Sequence, residues 1–377
     1  MGGILVVLGT RPEAIKLAPV IQALRRRKMP VRVCATAQHR ELLDQALALD
    51  GIRPDIDLNL MRPGQSIGAA TGRMMVLLDK VFADERSERV IVQGDTATAC
   101  AAAQAAFYRR IPVAHVEAGL RTADLSTPHP EEGNRRMIST IADWHFAPTT
   151  AAARALRNEG VAHEKILVTG NTVVDALHQV RARLRVQPEL AGAALNVLNR
   201  CHGRKLVLVT CHRRESFAAA DDIADAIRAL AMRRDVLIAL PLHPNPAIRR
   251  PLEQALRNLE NVALLEPLDF APFVALLSAA YLVLTDSGGV QEEAPVMGVP
   301  ALVMRDATER PEGIAAGTAR LVGTDSRRIV TEVCRLLDDA KAHARMSRAH
   351  SPYGDGRAAE RIADALAAAS AESLAVR

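Results

Sequence analysis

Aromatic residues are scarce in this sequence, at 3%. Ala and Arg fill much of the space Phe and Lys usually take, a compositional bias without functional meaning. The scarcity does count against nucleic-acid binding, which calls for a basic stripe interleaved with stacking rings. Cysteine is also rare. Cys34, Cys100, Cys201, Cys211 and Cys334 are odd in number, widely spaced and never arranged as C-x-x-C. That pattern argues against a disulfide framework or a zinc site and for a reducing compartment. No apolar run reaches transmembrane length. The start Met1-Gly2-Gly3-Ile4 lacks the basic-then-apolar order of a secretory signal. The expectation is a cytoplasmic protein with no membrane partner. A strong charge of one sign is absent as well, since 48 basic against 43 acidic residues leave +5. The densest basic run, Arg25-Arg26-Arg27-Lys28, closes a helical pattern, where cations favour the helix C-terminus. Such a balance suits a small anionic ligand better than a nucleic acid. There is no short internal repeat and no low-complexity tract. There is also no metal-ligand spacing, no Walker loop and no G-x-G-x-x-G turn, so neither a metal nor a nicotinamide cofactor is expected.

What is present is a repeated grammar of short apolar strands followed by helices. At 377 residues and 49% apolar, the chain is long enough for two cores. Strands are expected at 4–8, 31–36, 89–93 and 111–116, and helices at 14–24, 41–49 and 97–107. After a strandless Arg-, Pro- and Ala-rich stretch between Val180 and Lys205, the pattern restarts. Strands read at 205–210, 236–240, 262–265, 282–285 and 301–304, and a last helical pattern covers 358–374. The alternation implies parallel sheets with right-handed crossovers. The fold class is α/β, with two doubly wound Rossmann-like domains facing each other across a cleft. The expected division is 1–172, then 173–355, then a terminal segment 356–377 packing back on the first domain. Ligands bind such sheets at the C-terminal ends of the strands, and polar clusters fall at those ends.

The first cluster is Gly9-Thr10-Arg11-Pro12-Glu13-Ala14-Ile15-Lys16. Arg11 and Lys16 read either as two cations which, with helix N–H groups, face an anion, or as solvated charges on a capped helix. Gln93-Gly94-Asp95-Thr96 and His115-Val116-Glu117 follow strands, and Pro130-Glu131-Glu132-Gly133-Asn134-Arg135 opens a helix. Asp95 and Glu131 suit helix caps as well as chemistry. Glu117 closes the apolar 111–116 run and is expected to point into a cleft. Several acids converging on one crevice suggest proton transfer with tuned pKa values. In the second half, Cys211-His212-Arg213-Arg214 offers an imidazole to a phosphate or a structural His, with His243 a weaker candidate of the same type. Thr285-Asp286-Ser287-Gly288-Gly289 forms a small-residue turn between strand and helix. There the backbone can approach an oxyanion, and a Glu one turn on can hold ribose hydroxyls. Arg305, Glu309 and Arg310 follow the next strand.

Read in order, GTRPEAIKLAP, TAQHRELLDQ, GDTATA, PVAHVEAGLRT, PEEGNRR, TGNTVVDAL, HRRESF, TDSGGVQEEAP, VMRDATERPE and PYGDG resemble the non-hydrolysing UDP-N-acetylglucosamine 2-epimerases along nearly the full length. The resemblance implies a glycosyltransferase B-like architecture, a homodimer, no metal or nicotinamide, and a product feeding bacterial surface polysaccharides. It implies catalytic roles for Asp95, Glu117, Glu131 and His212. It implies UDP contacts at Arg11, Lys16, His212, Ser287, Gly288, Gly289, Glu293 and Arg310, with Phe273 beside the uracil. Gln38 and His39 match part of a second, activating nucleotide-sugar site, where Gly64 replaces an Arg of some members. Other departures are Gln93, Ala97, Cys211, His129 and Leu268. The implied reaction is inversion at carbon 2 through a glucal. The alternatives are a hydrolysing epimerase that releases N-acetylmannosamine, a glycosyltransferase of the same architecture, and a binding protein without turnover.

Overall fold

The protein is described from a computed structural model covering residues 3–36, 40–61, 64–122, 124–126, 128–212, 217–348 and 352–375. The chain divides into two compact units, one formed by Met1–Ala176 with Tyr353–Arg377 and the other by Leu177–Pro352.

The first unit holds a seven-stranded parallel sheet. Its strands are β1 Ile4–Leu8, β2 Val31–Ala35, β3 Ile56–Asp57, β4 Arg89–Gln93, β5 Val113–Val116, β6 Trp144–Ala147 and β7 Ile166–Val168, in the order β3-β2-β1-β4-β5-β6-β7. All five residues of β1 are buried, as expected of a strand covered by helices on both faces. Ile4, Val6 and Leu8 join the core beneath helices 11–26, 40–49 and 358–375. Leu5 and Val7 join the opposite core, beneath helices 67–85, 97–108 and 131–141. The Ala-rich helix Ala97–Tyr108 is buried on nearly every side, because Ala lets its neighbours approach closely. Helix Ala358–Ala375 returns against helix Arg11–Arg26, where Arg27 meets Glu360 and Asp364 at 2.7 and 2.6 Å. Two buried N–H groups at its start, from Ala358 and Ala359, donate to the carboxylate of Asp175.

The second unit repeats the design with six parallel strands. These are β8 Lys205–Thr210, β9 Val236–Pro241, β10 Val262–Leu265, β11 Leu282–Thr285, β12 Ala301–Val303 and β13 Ala319–Leu321, in the order β10-β9-β8-β11-β12-β13. In both sheets the order reverses beside the first strand of the unit, and that is where a doubly wound sheet opens a crevice for ligand.

The apolar runs locate most strands within two residues, the largest offset being at β5, which begins at Val113 rather than Ile111. The strands β3, β6, β7 and β13 have no counterpart in the sequence reading. The stretch 180–205 is helical, through Thr172–Val186, a 3-10 turn at Pro188–Ala191 and Ala194–Arg200.

Candidate active site

The first unit gathers its charges where β1, β4 and β5 end. Helix Arg11–Arg26 starts with a full capping box. Thr10 Oγ1 accepts from Glu13 N, and Glu13 Oε2 accepts from Thr10 N at 2.7 Å. Glu13 also accepts from Gly9 N at 2.9 Å, from Thr10 Oγ1 at 2.8 Å and, across the sheet, from Thr96 Oγ1 at 2.6 Å. Burial pushes its pKa up, and these donors pull it partly back. Gly9 is required by its surroundings. A Cβ there would lie 2.2 Å from Thr36 Oγ1 and 2.4 Å from Thr98 Oγ1, and those two hydroxyls bond each other at 2.9 Å.

Asp95 is held by Asn134 and Arg135, and its neighbour Gly94 by His115. Asn134 Nδ2 donates to the Asp95 carbonyl at 2.8 Å. Arg135 donates through Nε at 3.1 Å and through a terminal nitrogen at 2.6 Å to the single oxygen Oδ2. His115 Nε2 donates at 2.7 Å to the carbonyl of Gly94. His115 is fully buried, and desolvation drives its pKa down to about 3. Arg135 is aimed in turn by Glu132, fully buried, at 3.0 Å. Glu132 also takes Arg136 at 2.8 Å and the Thr122 N–H at 3.1 Å. The spacing Glu132–Arg135–Arg136 places all three on one helix face.

Glu117 has φ of 63°, a left-handed conformation that costs a side-chain-bearing residue of order 1–3 kcal/mol and clusters at functional sites. Its Oε2 takes Lys16 Nζ at 2.5 Å and Gln93 Nε2 at 2.8 Å. Lys16, read from sequence as an anion contact, is therefore engaged with an acid 101 residues away. Glu131 begins helix Glu131–Ile141, and its Oε2 is buried without a hydrogen-bond partner. Asp95 and Glu131 line one cavity of about 250 Å³, together with Thr10, Thr96 and Asn134. Arg11 is half-buried in the first helical turn of the same unit. Gln38 and His39 lie outside the described residues.

In the second unit, Ser287 caps helix Gly288–Val296, its Oγ accepting from Val290 N. A Cβ at Gly289 would meet only ordinary contacts, 3.7 Å from Ser287 Oγ and 3.8 Å from Glu293 Oε1. Packing therefore does not demand glycine there. Asp286, fully buried, accepts the His212 N–H with both oxygens at 3.1 and 2.9 Å. Its Oδ1 also stands 3.3 Å from His212 Nδ1, so a buried carboxylate orients an exposed imidazole. His243 lies close enough to Asp286 for that charge to raise its pKa, although burial lowers it on balance. Phe273 packs half-buried against this unit's core. Arg310 Nε donates to the buried Glu292, and Arg305 pairs with Glu309 at 2.7 Å.

The sequence reading assigned no role to Glu13, His115, Glu132, Asn134, Arg135 or Asp286. Each lies beside a residue it did single out, and the signal available was a second polar side chain inside the same strand-end motif. Among the described residues, no group of His, Cys, Asp or Glu is arranged to hold a metal ion, and no helix is long and apolar enough to cross a membrane.

Comparison with known proteins points the same way as these motifs. The family model described as UDP-N-acetylglucosamine 2-epimerase matches residues 22–367. The chain is 52% identical over 370 residues to the UDP-N-acetylglucosamine 2-epimerase of Salmonella typhimurium, spanning 96% of this chain and 98% of that one. It is 43% identical to the Campylobacter jejuni protein of the same name, over 96% of this chain and 97% of that one. Among solved structures it resembles UDP-GlcNAc 2-epimerase from Neisseria meningitidis bound to UDP-GlcNAc. The TM-score is 0.90 at 43% identity, with 96% of this chain and 99% of the other covered. The Methanocaldococcus jannaschii UDP-GlcNAc 2-epimerase in complex with UDP-GlcNAc and UDP gives 0.84 at 33% identity, over 97% and 99%. Two parallel sheets of matching order, strand-end acids in the first and a serine–glycine helix start in the second thus accompany near-full-length similarity, and the chain belongs to the UDP-N-acetylglucosamine 2-epimerase family.

Proposed function

We propose that the chain interconverts UDP-N-acetylglucosamine and UDP-N-acetylmannosamine by eliminating and re-adding UDP. The observation that carries this reading is the cavity lined by both Asp95 and Glu131. The carbon 2 proton is not next to a carbonyl, so its direct removal is very unfavourable. Elimination avoids the difficulty. The C2–H bond breaks, its electron pair forms the C1–C2 double bond, the C1–O bond breaks and UDP leaves. The proton goes to a carboxylate. Re-protonation on the other face, with return of UDP to carbon 1, completes inversion. Atoms and electrons balance without an oxidant.

In this reading the first unit supplies the acid–base groups Asp95, Glu117 and Glu131. The second supplies the cradle for the leaving diphosphate, through His212, Arg310 and the N–H groups at Ser287-Gly288-Gly289. Glycine at 289, which packing does not require, suits backbone approach to a phosphate. Phe273 is the candidate neighbour of the uracil and Glu293 of the ribose. Arg11 is a further phosphate contact, and Lys16, paired with Glu117, is the other candidate cation of that helix.

The same reading makes the protein a cytoplasmic homodimer that supplies surface polysaccharide synthesis. Val76, Phe107 and Tyr108 leave 70%, 51% and 70% of their surfaces exposed. They lie on adjoining helices stapled by Arg109 and Asp79, an apolar face suited to a second copy.

Proton NMR of UDP-N-acetylglucosamine incubated with the protein in heavy water tests the reaction. The expected product is UDP-N-acetylmannosamine carrying deuterium at carbon 2, with traces of free UDP and glucal. Inversion without deuterium would overturn elimination. Free N-acetylmannosamine in place of its UDP conjugate would move the chain to hydrolysis.

A further inference from the structure

The cavity that holds Asp95 and Glu131 has a second wall of different chemistry. It is built from Leu60 and from the first two turns of helix Ile67–Glu85, namely Ile67, Ala70 and Met74. The spacings i, i+3 and i+7 put the three helix residues in one strip. Leu60 and Met74 are 5% and 3% exposed, whereas Ile67 is 57% exposed. The strip thus runs from the core outward to the surface. Ala70, half-buried, is its narrowest side chain. Gln65 stands at the same wall and carries an amide able to meet another amide.

A hexosamine offers hydroxyls at most carbons, and placing a hydroxyl against an aliphatic strip leaves it without a hydrogen-bond partner. Its one apolar substituent is the acyl chain on the carbon 2 nitrogen. Acids that exchange the carbon 2 proton must stand beside that carbon, so the acyl group is the part of the sugar that falls next to them. We infer that the Leu60–Ile67–Ala70–Met74 wall is an acyl subsite, which reads the N-acyl group of the nucleotide sugar and admits short aliphatic chains longer than acetyl. This rests on the reading of the reaction given above. Ala70 sets the depth of the subsite. Met74, unbranched and adaptable, lets its floor accommodate chains of different length.

The test is kcat/KM for UDP-glucosamine N-acylated with acetyl, propionyl or butanoyl. The wild type is expected to take the propionyl compound within about fivefold of the acetyl one, because burying one methylene is worth roughly fourfold. Ala70→Leu narrows the wall and should lower the propionyl-to-acetyl ratio by about tenfold or more. Ala70→Val, a smaller intrusion, should lower it by roughly fourfold and keeps the test in hand if the leucine variant folds poorly. Ratios that stay within twofold of wild type in a folded variant overturn the acyl subsite while leaving the reaction intact. A wild type that leaves UDP-N-acetylglucosamine unchanged overturns both.

Discussion

The two sheets share a strand order and differ at their strand ends. In the first unit those ends are crowded with carboxylates that already have partners: Glu13 with Thr10 and Thr96, Asp95 with Arg135, Glu117 with Lys16 and Gln93, and Glu132 with two arginines. Among the described residues, the corresponding ends of the second unit carry Asp286 beneath an exposed imidazole, Glu292 paired with Arg310, and a serine–glycine helix start. In the proposed function one scaffold thus serves two tasks. Buried acids need donors and cations to remain ionised, and the first unit meets that need with Thr10, Thr96, Lys16, Gln93 and Arg135. The anion-binding turn proposed for the second unit needs only N–H groups and a clear approach, which its small residues allow.

The sharpest way to break this contrast is to neutralise the acids. Asp95→Asn, Glu117→Gln and Glu131→Gln should each lower turnover by about a hundredfold or more. UDP affinity by calorimetry should move by less than about threefold. If affinity and turnover fell together, the division of labour between the units would be wrong.

The second unit is probed through His212. Its replacement by Ala should weaken UDP binding by about 1.5–3 kcal/mol, the worth of a charge-assisted contact. Asp286→Asn should reproduce part of that loss, because it acts through the orientation of the ring. An unchanged UDP dissociation constant in His212→Ala would return the residue to a structural role.

The smallest effect concerns acid. His115 and His145 sit side by side on β5 and β6, and burial lowers their pKa values to about 3 and about 4. Both values lie below that of an unfolded histidine, near 6.5. The folded state therefore binds fewer protons, and the stability these residues allow is fully present above pH 6.5 and lost as pH falls toward 4 and 3. At pH 5.5 the loss is about 1 kcal/mol for each. Hydrogen exchange should show first-unit amides around β5 and β6 loosening before those of the second sheet. Parallel loosening of both units would count against the assignment.

The strands most legible in the sequence are the central ones, where burial on both faces produces an uninterrupted apolar run such as Ile4–Leu8 or Leu282–Thr285. Those missed are short or lie toward the sheet edges. Ile56–Asp57 has two residues, and Trp144–Ala147 interrupts its apolar pattern with His145. The positions of the polar clusters were legible as well, because a charged residue directly after a buried run has few places to go except a strand end. The pairings were not. Lys16 with Glu117 and Arg135 with Asp95 join residues far apart in the chain, and no local rule connects them. Asp286 was hidden for a related reason, since its work is done on a histidine from another strand. Glu13 is the intermediate case. Its capping box is local, but its bond to Thr96 is tertiary.

The helix that returns to the first unit has a consequence for how the protein is made. Residues from Tyr353 onward complete a body whose other residues end at Ala176, and Asp175 waits for N–H groups at 358 and 359. On the ribosome the first sheet can form early, but the flank of helix Arg11–Arg26 remains uncovered until the whole second unit has been translated. Throughout that interval an apolar surface is open to other nascent chains. A message broken after the second unit would yield a polypeptide with one finished body and one sticky one, the kind of product that chaperones retain and proteases remove.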